Sequence, residues 1–355
     1  MIQFGLDRFL SGKAHPGERW ALLANQASCT QSGVPAWEAI AERFPGRLAA
    51  LLSPQHGLFT GEQANMIETG HVPEGPLGLP VHSLYSETRR PEAAWFDGID
   101  RLLIDLQDVG CRVYTFAWTL LACLEAAEEW QLPVTVLDRP NPLGTTVEGP
   151  SLDPGFESFV GGHDIALRHG CTLGELAQRF RRERQLSVDL EVVPADRDDA
   201  DPERLFPHWR PPSPNLPTLD SVRVYPGQVL LEATNLSEGR GTTRPFEWLG
   251  APFVEPQRWL AELERRAPAG VRCVPFHATP TFDKWAGQGC PGLLLEVTDR
   301  ARFQPIETTV HLLESARSLW PDDFELLPPP YEYETEKSPL DILWGNASLR
   351  ERLEN

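Results

Sequence analysis

RLLIDLQDVGCRVYTFAWTLLACLEAAEEWQLPVTVLDRP, residues 101–140, decides how the chain folds. RLLIDLQ and VTVLDRP are short apolar runs that end in polar residues, as buried strands do. Between them, TFAWTLLACLEAAEEW is apolar at helical spacing for four turns. A helix joining two such strands implies a right-handed crossover and parallel pairing. The same alternation extends on both sides. WALLANQAS (residues 20–28), LAALLSP (48–54), LPVHSLY (79–85) and LEVVPA (190–195) read as further strands. PAWEAIAERF (35–44) reads as a helix with proline in its first turn. CTLGELAQRFRRE (171–183) opens with Thr172 as N-cap and Glu175 three residues on, a capping box. The expectation is an α/β protein whose first domain is a Rossmann-like, mainly parallel sheet with helices on both faces.

Residues 208–220, HWRPPSPNLPTLD, carry four prolines in thirteen positions and cannot continue a helix or a central strand. They mark a boundary between a domain of residues 1–210 and a smaller α/β C-terminal domain of residues 221–355, with a cleft between the two. In the second domain QVLLEAT, VRCVPF and GLLLEVTD read as strands, and residues 253–266 and 307–320 as helices. The tail PPPYEYETEKSPLDILWG (328–345) is read as wrapping back over the body.

Composition excludes several classes of partner. The 355 residues are 41% apolar, enough for a full core in two domains, and carry a net charge of -19. Nucleic acid and anionic membranes both require a basic face, so neither is expected. No apolar window is long enough for a transmembrane helix. The opening residues show no basic segment followed by an apolar one, and the six cysteines are scattered without C-x-x-C spacing. Both features fit reduced thiols and a cytoplasmic location. Absent G-x-G-x-x-G, Walker A and G-x-S-x-G strings give no dinucleotide, nucleotide or serine-hydrolase signature, and no histidine pair has zincin spacing. Neither cofactor nor metal is expected; the partner is a small-molecule substrate.

Chemistry concentrates in four polar strings: SPQHGLFTGEQANM (53–66), DLQDVGCRVYTF (105–116), LDRPNP (137–142) and TNLSEGRGTTRPF (234–246). The first three follow apolar runs, where an open α/β sheet places its ligand crevice. These strings, with LLANQAS, VEGP, SFVGGHDIALRHGCTLGEL, PSPNLPTLDS and YPGQVLLEA, resemble the exo-β-N-acetylmuramidase family nearly end to end. The resemblance implies a Rossmann-like domain plus a smaller domain, and removal of terminal N-acetylmuramic acid from peptidoglycan fragments.

One position departs from the pattern. Many family members have Pro-Glu-His-Gly where this chain has Pro54-Gln55-His56-Gly57. An amide cannot give up a proton near neutral pH. Either the acid never sat there, or it lies on Glu62 in the same loop, or the activity is lost or changed; Glu62 is the favoured reading. A sugar with a 2-acetamido group can supply its own nucleophile, leaving the protein to provide one acid and a partner for the acetamide. Glu62 is expected as the acid, with Asp108 or Tyr114 as that partner.

The lactyl carboxylate of muramic acid calls for arginine, and Arg112, Arg139, Arg240 and Arg244 are candidates. Gln55, His56, Asp105, Gln107, Asp138, Asn141, Asn235 and Glu238 complete the expected substrate-binding set. Several of these have a purely structural alternative. His56 would lock its loop, Asp105 or Asp108 would cap a helix or pair with Arg112, and Asp138 and Arg139 would form an internal ion pair. Asn141 would satisfy loop backbone, and Glu238 and Arg240 would be solvated loop charges. Two other functions stay open: a hydrolase or lyase on another acidic amino sugar, and a non-catalytic muropeptide-binding protein.

Overall fold

The computed structural model describes residues 2–13, 17–63, 67–198, 201–266 and 268–355. The end of the first polar string, residues 64–66, lies outside the described residues. The chain divides into two compact units. One comprises residues 1–110, 114–145 and 170–214; the other comprises 111–113, 146–169 and 215–355. This division differs from a single cut in the proline-rich stretch, because two earlier segments belong with the C-terminal half.

In the first unit the elements run α1 (Gly5–Ser11), β1 (Trp20–Ala24), α2 (Ala36–Arg43), β2 (Leu48–Ser53), β3 (Val81–Ser83), β4 (Arg101–Asp105), α3 (Phe116–Trp130), β5 (Val134–Leu137), α4 (Leu173–Glu183) and β6 (Leu190–Val193). All six strands are parallel, in the order β3-β2-β1-β4-β5-β6. That order reverses direction between β1 and β4, the point where doubly wound sheets form their crevice. The four inner strands read as apolar runs because both faces are covered, whereas the edge strand β6 is only partly buried. Trp20, Leu22, Ala24, Leu103 and Leu137 pack with Leu6, Trp37, Ile40 and Phe44 of α1, α2 and its C-cap. The intervening Ala21, Leu23, Leu102 and Ile104 are equally buried. Each fully buried leucine or isoleucine contributes roughly 1.5–3 kcal/mol.

The capping box on α4 is present, with Thr172 Oγ1 accepting from Glu175 N–H and Glu175 accepting from Thr172 N–H. Pro35 sits at the N-cap of α2, one position before the expected first turn. Helix α1 was not legible in the sequence. At seven residues it is too short to show a period.

In the second unit the elements are α5 (Leu219–Gln228), β7 (Trp248–Gly250), α6 (Pro256–Leu263), β8 (Val271–Ala278), β9 (Cys290–Val297), α7 (Pro305–Leu319), α8 (Pro339–Trp344) and α9 (Ser348–Glu354). The three strands form an antiparallel sheet in the order β7-β9-β8. QVLLEAT is not a strand. Gln228 ends α5, and Val229–Ala233 continues as a 3₁₀ turn. Val229, Leu230 and Leu231 are all fully buried, and a short apolar run of that kind carries no period to separate helix from strand. The tail does pack on the body of this unit: the Tyr331 hydroxyl donates to Glu232 at 2.6 Å.

Candidate functional site

Ten of the expected site residues lie at the carboxyl edge of the parallel sheet, Asp105 as the last residue of β4 and nine on the loops after β2, β4 and β5. Bonds between loops brace this edge. At the end of β4, Asp105 is fully buried and receives the Arg139 guanidinium through Nε at 2.5 Å and Nη2 at 2.9 Å. Nη2 also reaches the Cys29 carbonyl at 2.9 Å, so one side chain joins the ends of β1, β4 and β5. Burial raises the Asp105 carboxyl above its ordinary value, opposed by Arg139. Gln107 donates to the Asp108 carbonyl at 2.8 Å and the Pro140 carbonyl at 3.0 Å.

Asp108 accepts from Gly110 N–H at 2.7 Å, a tight turn with Gly110 at φ 76°. A Cβ on Gly110 would lie 2.5 Å from Asn141 Oδ1, so only glycine lets the two loops meet. Asn141 accepts from Leu143 N–H at 2.9 Å and donates to the Cys171 carbonyl at 3.0 Å. Asp138 accepts from Thr172 Oγ1 and Gly174 N–H, seating the α4 N-terminus on β5. Burial pushes its carboxyl up to about 6, against the pull of those bonds.

The loop after β2 is fixed by its histidine. His56 adopts φ 70° and places Nδ1 2.8 Å from the Glu62 carbonyl. A carbonyl can only accept, so Nδ1 carries a proton, and Nε2 meets the Ser213 hydroxyl at 3.2 Å. His56 therefore closes the loop that presents Glu62. The half-buried Glu62 carboxylate makes no hydrogen bond or ion pair among the described residues. Gln55 accepts the Thr115 hydroxyl at 2.7 Å through Oε1, which leaves its Nε2 as a donor. Tyr114 is buried, and burial with the nearby Asp108 charge holds its phenol well above its ordinary range. It is a neutral O–H donor at any physiological pH.

The remaining candidates lie in the second unit and are committed to structural bonds. Arg112 is fully buried and donates to the carbonyls of Pro150, Ile165 and Leu343 at 2.9–3.1 Å. Burial lowers its pKa to about 10. These three bonds are to backbone carbonyls, and the charged partner of Asp105 is Arg139. Nor do Asp138 and Arg139 pair with each other. Arg240 Nη1 bonds Glu232 at 2.7 Å and Glu238 at 3.1 Å, and Lys284 meets Glu238 at 2.9 Å. Far from being solvated loop charges, Glu238 and Arg240 are buried together. Asn235 exchanges bonds with backbone at Asp323 and Glu325. Arg244 is half exposed and bonded to Glu247 at 3.0 Å.

Sequence reasoning missed Thr115 and Ser213, the fixed partners of Gln55 and His56. Both precede or sit between residues that already looked structural, so no local signal marked them.

Models of the two domains of the exo-β-N-acetylmuramidase NamZ match this chain, the N-terminal one at residues 20–220 and the C-terminal one at 223–355. The chain belongs to the exo-β-N-acetylmuramidase family. Among family relatives, the peptidoglycan β-N-acetylmuramidase NamZ of Bacillus subtilis is 39% identical, covering 100% of this chain and 84% of that protein. Two DUF1343-family crystal structures from Bacteroides fragilis share the fold. One has a TM-score of 0.87 at 29% identity, the other 0.74 at 27%, each covering 100% of this chain and 91% of its own. Three of the four polar strings, those after β2, β4 and β5, build the braced edge described above, and the fourth lies in the second unit.

Proposed function

We infer that this chain is a glycoside hydrolase that removes terminal β-linked N-acetylmuramic acid from peptidoglycan fragments. Family membership along the whole chain carries the reading. In the proposed reaction Glu62 protonates the leaving oxygen while the substrate's acetamide oxygen attacks the anomeric carbon. Asp108 accepts the acetamide N–H, and the neutral Tyr114 hydroxyl donates to the same group. Glu62, now a carboxylate, takes a proton from the water that opens the cyclic intermediate. Geometry supports these roles: Glu62 is an uncommitted carboxylate on a loop pinned by His56, and Asp108 is pinned by Gly110 beside a phenol that stays protonated.

The six thiols are all free, which supports action in a reducing compartment on imported wall fragments. Cell fractionation tests that location, and recovery outside the cytoplasmic membrane would overturn it.

Gln55 favours a second reading, a muropeptide-binding protein without turnover, since its amide offers a donor where an acid is usual. Hydrolysis of para-nitrophenyl β-N-acetylmuramic acid, run beside the β-N-acetylglucosaminide, separates the two. Release from the muramide is expected. Binding without release in the folded protein, with activity gained on Gln55→Glu, would establish the second reading.

A further inference from the structure

Three of the four arginines expected to hold the substrate's carboxylate are buried in internal bonds, and the fourth is tied to Glu247. A different guanidinium lies open. Arg210, in the proline-rich stretch, is exposed and has no ion pair or hydrogen bond among the described residues. It lines a pocket of roughly 500 Å³, open mouth included, together with Gln31, Gln107, Arg139, Phe206 and Trp209. The pocket lies at the carboxyl ends of β1 and β4, where the strand order reverses.

Its walls are built rather than incidental. Asn25 donates to the Pro212 carbonyl at 3.0 Å and Gln26 to the Pro211 carbonyl at 3.4 Å, seating the Arg210 segment on the loop after β1. Arg210 Nη2 lies over Gly33, 2.5 Å from where a Cβ would stand, and Gly33 has φ 87°. A side chain there would collide with the guanidinium. Gln31 has a side-chain nitrogen without a hydrogen-bond partner, a second donor beside the arginine. The neighbouring Asp7 carboxylate is already engaged by Phe4 N–H and Gln31 N–H. Arg139 is neutralised by Asp105. Gln107 bonds the Asp108 carbonyl, so pocket and Asp108 loop share one side chain.

We propose that this pocket is a carboxylate subsite, in which Arg210 and Gln31 hold an acid group of the substrate and Trp209 and Phe206 pack its apolar body. The proposal rests on the muramidase reading for the sugar that bears the acid. Two sources of that acid exist: the lactyl carboxylate of a peptide-free muramic residue, and the terminal carboxylate of a short stem peptide.

The test is calorimetric binding of N-acetylmuramic acid, its lactyl carboxamide, and an N-acetylmuramoyl dipeptide to the wild type and to Arg210→Met. Binding needs no turnover, so a failed muramidase reading would not decide it. Removing one charge-assisted bidentate contact should weaken the preferred carboxylate about ten- to a hundred-fold. The carboxamide should bind weakly to both proteins. Preference for N-acetylmuramic acid assigns the lactyl source, and preference for the dipeptide the peptide source. Gly33→Ala should reproduce the loss with the charge intact. Arg210→Met is expected to keep the wild-type unfolding midpoint, because Arg210 holds no internal bond. Equal carboxylate affinity in wild type and Arg210→Met, tight carboxamide binding, or no binding of any probe would overturn the proposal.

Discussion

Arg139→Met should be among the most destabilising single changes in the first unit. Its guanidinium is the counter-charge of Asp105, which is 0% exposed. Removing one partner of a buried pair costs about 3–5 kcal/mol, because the other charge stays behind. The Cys29 carbonyl loses a donor as well, adding about 1 kcal/mol. The sum is a large share of the 5–15 kcal/mol typical of a folded protein.

The loss should depend on pH in a defined direction. Burial already raises the Asp105 carboxyl from 3.8, and Arg139 is what pulls it back. Without Arg139 the folded carboxyl titrates higher still, so between the unfolded and folded values the native state holds the extra proton. Stability must then rise as pH falls, by up to about 1.4 kcal/mol per unit. Urea unfolding at pH 5 and pH 8, followed by tryptophan fluorescence, reads both effects. Adding Asp105→Asn should recover much of the loss and flatten the pH response. A loss under 1 kcal/mol, or one equal at both pH values, would refute the account of Arg139 as a buried clamp.

Glu62→Gln is expected to lower turnover of the muramide by roughly 10²- to 10⁴-fold with little change in KM; steady-state kinetics with unchanged kcat would remove Glu62 from the mechanism. Gly110→Ala should cost stability by about 1–3 kcal/mol and impair activity, since it adds both backbone strain and a collision with Asn141; a wild-type unfolding midpoint would contradict the tight approach of the two loops. In the second unit, burial acts to raise the Glu238 carboxyl, but Lys284 and Arg240 more than offset it and leave it below its ordinary 4.5. Its stabilisation is complete above that value and is lost as pH falls toward the depressed one. Glu238→Gln should therefore lose stability at pH 7 and show a shallower acid dependence than the wild type in thermal melts.

The parallel sheet was legible because burial on both faces writes each inner strand as an apolar run, and because α3 is long enough to show its period. QVLLEAT misled for the same reason: full burial erases the alternation that would have shown a helical turn. The residues at the sheet's carboxyl edge were legible as polar strings after strands, but not their allegiances. Arg112 looked available, yet its Leu343 partner lies 231 positions away. Asp105 had a charged neighbour at Arg112, but its true partner at Arg139 arrives through the next strand. Arg210 was hidden in a stretch whose prolines read as a domain boundary, when residues 208–214 belong to the first unit.

The chain passes between its two compact units at 110/111, 113/114, 145/146, 169/170 and 214/215. Cutting at the proline-rich stretch would therefore not yield two independent modules. A fragment starting at residue 215 would lack residues 111–113 and 146–169, and the Leu343 carbonyl in it would lose its Arg112 donor. Expressed alone, it should be insoluble or protease-sensitive, and a protease nick near residue 210 in the intact protein should leave the two pieces co-purifying. The heredity of this fold is accordingly all-or-none: recombination between relatives has no single splice point at which one half can be exchanged without taking segments of the other.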